Sequence, residues 1–286
     1  MSNFNAKEER IKIVQWIKDW FDNNGPYASA VIGISGGKDS SIVAALCVEA
    51  LGKDRVFGVL MPNGEQSDIS DARKLVDYLG IPNTTVNIKP MYDQFYDSFK
   101  WVAAKIGGCD KTNAIINTPP RIRMTVLYAV AALLPNGGRV ANTCNASEDY
   151  VGYSTKFGDS VGDFSPLASL SVFNILELGD ELGLPAELVH KAPADGLCGK
   201  TDEENLGFTY ATLEKVMMGE YEDVDPAIVE KIEKLHNQNI HKIAPMPWYP
   251  GSGVTYCFNP KRYKECPLAG PNIFNKEFDK MRESLE

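Results

Sequence analysis

The chain has 286 residues, of which 44% are hydrophobic and 23% are charged, so its length suits one large α/β domain or two small ones with a substantial core. A formal net charge of −9 and a sequence pI of about 5.0 disfavour a protein that grips nucleic acid backbones, because such domains are usually basic. No stretch approaches the roughly 18 consecutive apolar residues of a membrane helix, and the charged residues 7–10 are unlike a signal peptide. We therefore expect a soluble, cytoplasmic protein.

Strands and helices alternate through the first half of the chain. Apolar runs predict strands at residues 30–34, 56–61, 84–88 and 139–143. Periodicity predicts helices at 6–22, from the loop at 35–37 to Gly52, from a cap at Ser67 or Asp68 to Leu79, at 90–106, and from Pro119 to 134 after a polar break at 107–117. This spacing implies right-handed crossovers, and hence an α/β fold with an open, doubly wound parallel sheet of about five strands and helices on both faces.

The second half of the chain combines helices with irregular segments. Helices are predicted at residues 171–183, 185–191, 209–218 and 225–240. The connection at 145–166 has little periodicity, and a loop of that length in a compact domain is usually functional. Residues 192–205 are polar and turn-rich, which predicts a mobile lid, and residues 245–286 predict an irregular C-terminal tail. Because the sequence contains no repeat or linker, we expect a single domain over residues 1–286.

The cysteines offer no obvious chemistry. None of the six stands at Cys-x-x-Cys spacing from another, so neither a zinc ribbon nor a redox dithiol is indicated. Cys47 and Cys144 lie in apolar segments, which predicts buried thiols.

The most informative stretch is residues 30–41, where an apolar strand turns through Ser35-Gly36-Gly37 into a helix. Such a turn presents several backbone N–H groups at the positive end of a helix, which is where anions bind. The glycines allow close backbone approach, the flanking serines (Ser35 and Ser40) add hydroxyl groups, and Lys38 adds charge. A carboxylate among phosphates makes sense mainly as a Mg²⁺ ligand, which is the role predicted for Asp39.

This loop is not a Walker A motif, which needs a glycine upstream of its Gly-Lys pair and a Ser or Thr directly after it. Ile32 and Asp39 hold those places here. Ser-Gly-Gly-Lys-Asp-Ser instead resembles the signature of the ATP pyrophosphatases, whose loop holds the pyrophosphate end of ATP while the α-phosphate is attacked. The alternative is a glycine-rich turn that binds no ligand.

A second carboxylate is expected near this loop. In an open parallel sheet, ligands bind at the carboxyl ends of the strands, near the point where the strand order reverses. The first and fourth strands commonly flank that point, so Asn142-Thr143 at the end of the fourth strand should face the loop at 35–40. Glu148 follows shortly afterwards and would share Mg²⁺ with Asp39. The alternative is that Glu148 only caps a short helix.

The later motifs are Arg121-Ile-Arg123, Thr143 with Glu148, Lys156-Phe-Gly-Asp159, Asp163-Phe-Ser-Pro-Leu167 and His241-Lys242. They fall in the order found in ammonia-dependent NAD synthetases, which the chain resembles from about residue 10 to 245. The phosphate loop alone is shared with many ATP pyrophosphatases, whereas this combination is much more specific. The resemblance implies an adenine nucleotide alpha-hydrolase-like fold and a homodimer with the dinucleotide at the subunit interface, and the apolar helix at 117–134 is a plausible interface element.

The resemblance also implies a role for each motif residue. ATP is bound by Gly33, Ile34, Ser35, Gly36, Gly37, Lys38, Asp39, Ser40 and Thr143. Mg²⁺ is bound by Asp39 and Glu148, and deamido-NAD (nicotinic acid adenine dinucleotide) by Arg121, Lys156, Asp163, His241 and Lys242. The catalytic set is Lys38, Asp39 and Asp163. Without the resemblance, we would interpret Arg121 as a solvated helix charge and His241-Lys242 as cations that favour a helix C-terminus.

The implied reaction has two steps. The nicotinate carboxylate attacks the α-phosphorus of ATP, and ammonia then displaces AMP from the adenylate. Free ammonia is the expected nitrogen donor, because the synthetase pattern fills the chain and leaves no room for a glutaminase domain. Two rival hypotheses are an RNA-modifying ATP pyrophosphatase, which the acidic composition disfavours, and a non-catalytic nucleotide-binding module, which has no use for paired carboxylates.

Two positions depart from the commoner family pattern. Val172 stands where a lysine usually contacts ATP, and Ala194 stands where a Thr or Ser does. The leaving pyrophosphate then lacks one cation, and Lys200 in the predicted lid is the candidate replacement. The alternative is that Lys200 is a solvated charge paired with an acidic neighbour.

Overall fold

Parallel strands form the centre of the molecule. The structure is a computed structural model that describes residues 4–66, 69–107, 112–191 and 201–245. Within these ranges the sheet has four strands in the order β3-β2-β1-β4: β1 (Ser29–Gly33), β2 (Val56–Leu60), β3 (Asn83–Thr85) and β4 (Gly138–Val140). Beyond β4, Ala141 forms an isolated parallel bridge with Phe164, where a fifth strand would lie. The predicted parallel α/β sheet is confirmed, although β3 and β4 are shorter than predicted.

Helices cover both faces of this sheet. They are α1 (Ala6–Asn24), α2 (Lys38–Leu51), α3 (Ile69–Leu79), α4 (Lys89–Ile106), α5 (Thr112–Leu133), α6 (Ala146–Val151), α7 (Val172–Glu181), α8 (Ala186–Val189), α9 (Asp202–Leu206), α10 (Tyr210–Met217) and α11 (Pro226–Asn239). In β1, Ala30 and Ile32 point into a core shared with α1, α2 and α7, whereas Val31 points into a core shared with α5. This division follows from the two-residue period of a strand. The doubly wound arrangement is therefore as predicted.

Helix α5 begins earlier than the sequence predicted. The sequence predicted a polar break at residues 107–117 and a helix that begins near Pro119, and a proline inside a helix removes a backbone donor. The structure instead starts the helix at Thr112 and holds Pro119 and Pro120 inside it. Just before the prolines, the side chains of Asn117 and Thr118 donate hydrogen bonds to backbone carbonyls one turn earlier. The predicted break was therefore wrong for the residues from Thr112 onward.

A third apolar cluster joins the helices of the second half of the chain. Val151 of α6, Leu206 of α9, Leu213 of α10 and Ile232 of α11 meet there, together with Val172 at the start of α7. Helix α6 lies within the connection that the sequence predicted to be irregular. Apolar packing between short helices thus organises a region in which periodicity gave little signal.

Several predictions concern residues outside the described ranges. They include the helix cap at Ser67 or Asp68, residues 192–200 of the predicted lid, and residues 246–286 of the predicted tail. The remainder of the lid segment begins at Thr201, whose side chain caps α9. The described residues belong to a compact unit that ends at Pro245, and a single domain over the whole chain stays a prediction. Among the described helices, none is long and apolar enough to cross a membrane.

Cys47 and Cys144 are buried free thiols, as predicted. Burial raises the pKa of both thiols. A buried thiol with a raised pKa stays protonated at neutral pH, so neither cysteine serves as a nucleophile.

Candidate active site

The loop between β1 and α2 lies at the carboxyl edge of the sheet, as predicted for a nucleotide site. Gly33 ends β1, and α2 begins at Lys38. Gly36 has a φ of +79°, in the left-handed region that glycine adopts without strain. A Cβ on Gly36 would lie 2.6 Å from the backbone nitrogen of Ala72, so the loop packs against α3 with no room for a side chain.

Hydrogen bonds within the loop hold its shape. The hydroxyl oxygens of Ser35 and Ser40 lie 3.0 Å apart, and the N–H of Gly37 donates to Ser35 Oγ at 3.2 Å. Ser41 Oγ donates to the carbonyl of Gly37 at 2.7 Å. In the described part of the chain, no side chain caps the N-terminus of α2, so the N–H groups of its first turn remain available to an anion. The serines thus shape the loop, and the backbone supplies the anion-binding donors.

Lys38 and Asp39 form an ion pair at the start of α2, and the lysine is the buried partner. The Lys38 side chain is 5% exposed, and its Nζ lies 2.9 Å from Asp39 Oδ2. Burial by itself lowers the pKa of Lys38, but the charges of Asp39 and Glu148 outweigh burial, and the pKa is raised. Lys38 is therefore held as a cation beside the anion-binding end of α2.

Asn145 connects Asp39 to Glu148. Its Nδ2 donates to Asp39 Oδ1 at 3.0 Å, and its backbone N–H donates to Glu148 Oε2 at 3.4 Å. Asn145 is also the N-cap of α6, and Glu148 completes the capping box. Glu148 is therefore a helix cap, as one interpretation of the sequence had it. The same contacts bring Asp39 and Glu148 to one pocket, so the two interpretations are compatible.

The electrostatics of this pocket suit a divalent cation. Burial, followed by the charge of Asp39, raises the pKa of Glu148, and Lys38 opposes the shift only in part. Two mutually repelling carboxylates are stabilised by a cation between them. Within the described ranges, no group of three or more His, Cys, Asp or Glu residues could hold a metal ion. The pocket fits a Mg²⁺ that takes its other ligands from phosphate and water rather than from an all-protein cage.

Four residues predicted to bind deamido-NAD lie together, and we call them the basic region: Arg121, Lys156, His241 and Lys242. Arg121 Nε donates to the carbonyl of Lys156 at 3.1 Å, and Lys156 Nζ donates to the carbonyl of His241 at 2.8 Å. Lys242 Nζ donates to the carbonyls of Gly152 and Ser154 at 2.6 and 3.0 Å. The structure therefore brings these four residues around one loop, after α6.

Phe157 lies next to Lys156 of the basic region and is exposed to solvent. Its φ is +63°, which is strained for an aromatic residue, and its side chain is 58% exposed. Lys156 Nζ lies 5.3 Å from the centroid of its ring. Strained backbone conformations of this kind are concentrated at functional sites.

Asp163 has a different environment. Its Oδ2 accepts from the backbone N–H of Val140 at 2.7 Å, and its Oδ1 accepts from the Tyr128 hydroxyl at 3.2 Å. Burial and the charge of Asp163 raise the pKa of Tyr128 to about 12. Asp163 thus connects β4 to α5, and its catalytic and substrate-binding roles stay predictions.

The remaining positions that the sequence linked to ATP lie in different parts of the structure. Ile34 is buried behind the loop, and its N–H donates to the carbonyl of Val59 at 2.9 Å. Thr143 lies just beyond β4 and two residues before Asn145, at half-buried exposure. Val172 is buried at the start of α7 in the third apolar cluster. Ala194 and Lys200 lie outside the described residues.

Three residues near the pocket were missed by the sequence analysis. Asn145 carried a readable signal, because Asn145-x-x-Glu148 has the spacing of a capping box. Asp202 and Tyr210 carried none. The Tyr210 hydroxyl donates to Asp202 Oδ2 at 3.2 Å, and Asp202 adds a smaller contribution to the raised pKa of Glu148, after burial and Asp39.

Comparisons with known proteins agree with this geometry. The family model described as NAD synthase matches residues 10–246. An NH₃-dependent NAD⁺ synthetase from Pyrococcus horikoshii is 36% identical over 81% of this chain and 90% of that protein. The solved structure of an NMN synthetase from Francisella tularensis has a TM-score of 0.78 and 34% identity, and it covers 87% of this chain and 100% of its own. The solved structure of an NH₃-dependent NAD synthetase from Campylobacter jejuni, in complex with the nitrate ion, has a TM-score of 0.69 and 26% identity. It covers 86% of this chain and 100% of its own.

Proposed function

The chain belongs to the NAD synthase family, and we propose that it makes NAD by joining ammonia to deamido-NAD through an adenylate formed at the pocket of Lys38, Asp39 and Glu148. It is a ligase of NAD biosynthesis, and ATP is one of its substrates. The observation that carries the proposal is the ion pair of the buried Lys38 with Asp39, linked by Asn145 to Glu148, at an N-terminus of α2 that no described side chain caps.

The first step activates a carboxylate that is a poor acylating group. A carboxylate oxygen of the nicotinate attacks the α-phosphorus of ATP, and the bond to the bridging oxygen breaks to release pyrophosphate. Backbone N–H groups of the loop and the Lys38 ammonium stabilise the charge on the leaving pyrophosphate. Mg²⁺, which Asp39 and Glu148 would hold, supplies further charge neutralisation when it is bound.

In the second step ammonia attacks the acyl carbon, AMP leaves, and the nitrogen loses a proton to give the amide. The adenylate must be shielded from water until then. We assign the basic region to the anionic dinucleotide because it gathers three cationic side chains around one loop: Arg121, Lys156 and Lys242. Lys200 stays the proposed replacement for the cation absent at Val172, and residues 192–205 stay the proposed lid.

The test is pyrophosphate release with ATP, MgCl₂ and ammonium chloride, measured with and without deamido-NAD. We expect release that depends on deamido-NAD, is unchanged by tRNA, and is accompanied by one NAD per pyrophosphate. Glutamine as the sole nitrogen source, in an ammonia-free preparation, should support no turnover. Release that required tRNA instead would show an RNA-modifying enzyme, and ATP binding without any release would show a non-catalytic module.

A second candidate substrate is the corresponding mononucleotide, which lacks the AMP half of deamido-NAD. The observation in its favour is the higher TM-score of the Francisella NMN synthetase, 0.78, against 0.69 for the Campylobacter NAD synthetase. The curated relative from Pyrococcus horikoshii, by contrast, carries the name of an NAD⁺ synthetase. Comparing kcat/KM for the two substrates decides the question, and we expect the dinucleotide to be preferred.

We also propose a homodimer that uses α4 together with α5. In the structure as described, no residue of α4 is buried, and the helix exposes Phe95, Phe99, Trp101, Val102 and Ile106. The Phe95 and Phe99 rings stack at 4.2 Å between centroids. On α5, Ile115 and Ile116 are exposed as well. A contiguous apolar surface of this extent is typical of a protein–protein interface.

Sedimentation velocity tests the dimer. We expect a mass of two chains for the unmodified protein and of one chain for Phe95→Asp/Phe99→Asp. A two-chain mass for this double variant would show that α4 is not the interface. The cytoplasmic location and the absence of a nucleic acid partner stay predictions.

A further inference from the structure

Helix α3 begins directly against the phosphate loop. A Cβ on Gly36 would lie 2.9 Å from Asp71 Cβ and 2.6 Å from the backbone nitrogen of Ala72. Asp71 is the third residue of α3, where a carboxylate interacts favourably with the helix dipole. A negative charge therefore stands beside the loop that has to bind the polyphosphate of ATP.

The charge of Asp71 is balanced by a lysine from a distant part of the chain. Lys191, just after α8, places its Nζ 2.9 Å from Asp71 Oδ2. The two side chains are 32% and 20% exposed, so the pair is only partly screened by solvent. Lys74, one turn along α3, is 55% exposed and lies farther away, at 3.5 Å from Asp71 Oδ1. Lys191 is thus the nearer and less solvated of the two cations at Asp71.

Stability gives little reason for this pair. Ion pairs near the surface contribute roughly 0–1 kcal/mol to folding. Its position beside Gly36 gives a stronger reason. Asp71 packs against Gly36, so an anion held by the N–H groups of the loop would lie close to the Asp71 carboxylate. That separation is well within the Debye length, which is about 8 Å at physiological ionic strength. An unbalanced Asp71 would repel the phosphates, and a balanced one would not.

We propose that Lys191 is a positioning residue for ATP, which neutralises Asp71 so that the phosphate loop can bind a polyphosphate. The inference rests on the proposed function, in which this loop holds the pyrophosphate end of ATP. It assigns Lys191 no contact with the reacting atoms. Its signature is that loss of Lys191 harms ATP binding only while Asp71 is charged.

The test is a double-mutant cycle with Lys191→Gln and Asp71→Asn, each of which keeps most of the side-chain volume. Affinity for a non-hydrolysable ATP analogue with MgCl₂ is measured by calorimetry without the second substrate, and KM for ATP and kcat are measured by pyrophosphate release. We expect Lys191→Gln to weaken analogue binding and raise KM for ATP about tenfold, with kcat within about threefold. Asp71→Asn should stay within about twofold of the unmodified protein, and the double variant should recover to within about threefold.

Two control variants separate local charge balance from a general loss of charge. Lys191→Arg keeps the cation and should bind the analogue within about threefold of the unmodified protein. Lys12→Ala removes a lysine that is paired with Glu9 at 2.7 Å on α1, and it should change nothing. An equal loss of affinity in Lys12→Ala would overturn the inference.

The other outcomes are equally decisive. If the double variant binds as weakly as Lys191→Gln, Lys191 acts on ATP directly or only through the fold, and the inference is wrong. Unchanged binding in Lys191→Gln overturns it too. Absence of turnover in the unmodified protein would instead count against the proposed function, because the binding cycle is measured without the second substrate and stands by itself.

Discussion

The phosphate loop and the basic region are built in opposite ways. Hydrogen bonds within the loop join residues at most five positions apart, from Ser35 to Ser41, and Lys38 is buried beside them. In the basic region, the bonds of Arg121, Lys156 and Lys242 join residues 35 to 90 positions apart, and each ends on a backbone carbonyl. The loop is a local, preorganised element, whereas the basic region is assembled by the tertiary fold.

The difference suggests a division of work between the two regions. Preorganised donors and buried charges stabilise charge that develops in the transition state, so damage to the loop should lower kcat. The cationic side chains of the basic region, which are held by bonds to backbone carbonyls, should bind the dinucleotide equally well in the ground state and in the transition state. Damage to the basic region should therefore raise KM for the dinucleotide and leave kcat nearly unchanged.

The largest expected effect concerns the two carboxylates of the loop pocket. Asp39→Asn and Glu148→Gln should each lower kcat about a hundredfold or more, which corresponds to about 3 kcal/mol of transition-state stabilisation. Steady-state kinetics at saturating substrates measures the loss. Glu181→Gln removes a half-exposed carboxylate that pairs with Arg10, and it should keep full activity. Full activity in Glu148→Gln would leave that residue as a helix cap alone.

Gly36→Ala should damage the loop through the backbone. The left-handed φ costs an alanine about 1 kcal/mol or more, and the collision with Ala72 adds about 1–3 kcal/mol. Gly183→Ala is a matched control, because its φ of +69° is similar and a Cβ added there would meet no atom of the described residues within 4 Å, its two chain neighbours aside. Urea unfolding should show a larger loss for Gly36→Ala, and calorimetry should show weaker ATP binding only there. Equal losses would mean that contact with α3 is unimportant.

In the basic region, Lys156→Ala and Lys242→Ala should each raise KM for deamido-NAD about tenfold, because each removes one cationic side chain from the proposed binding site of an anionic substrate. KM for ATP should stay within about twofold. Lys215→Ala, on the exposed surface of α10, serves as the control. A hundredfold fall in kcat without a change in KM would show that these lysines act in the chemical step. The proposed contrast, with kcat effects for the loop and KM effects for the basic region, would then be wrong.

The smallest effect is expected for Tyr128→Phe. It removes the 3.2 Å hydrogen bond to Asp163 but leaves the backbone bond from Val140 in place. A single neutral-donor hydrogen bond to a carboxylate is worth about 1–2 kcal/mol, so thermal unfolding should show a modest loss of stability. Turnover should stay within about twofold. A severe loss of activity with normal stability would instead indicate that Tyr128 and Asp163 take part in the reaction.

Residues 35–40 and the principal strands were predictable because they depend on near neighbours. Strand β1, its glycine turn and the first turn of α2 are set by apolar runs, glycine conformations and helix ends within a dozen residues. The capping box at Asn145 is equally local. The early start of α5 was missed because proline propensity was overruled by a helix that continues through Pro119 and Pro120.

The sequence by itself thus determined the parallel α/β fold, the phosphate loop and the residues that match the family. Only the tertiary structure decided how they meet. Asn145 reaches Asp39 across 106 positions, and Lys191 reaches Asp71 across 120. Asp202 and Tyr210 come to the pocket because α9 and α10 share an apolar cluster with α6. Such contacts depend on how helices pack against one another, and packing is settled by the buried surface of many residues together, which a local pattern does not encode.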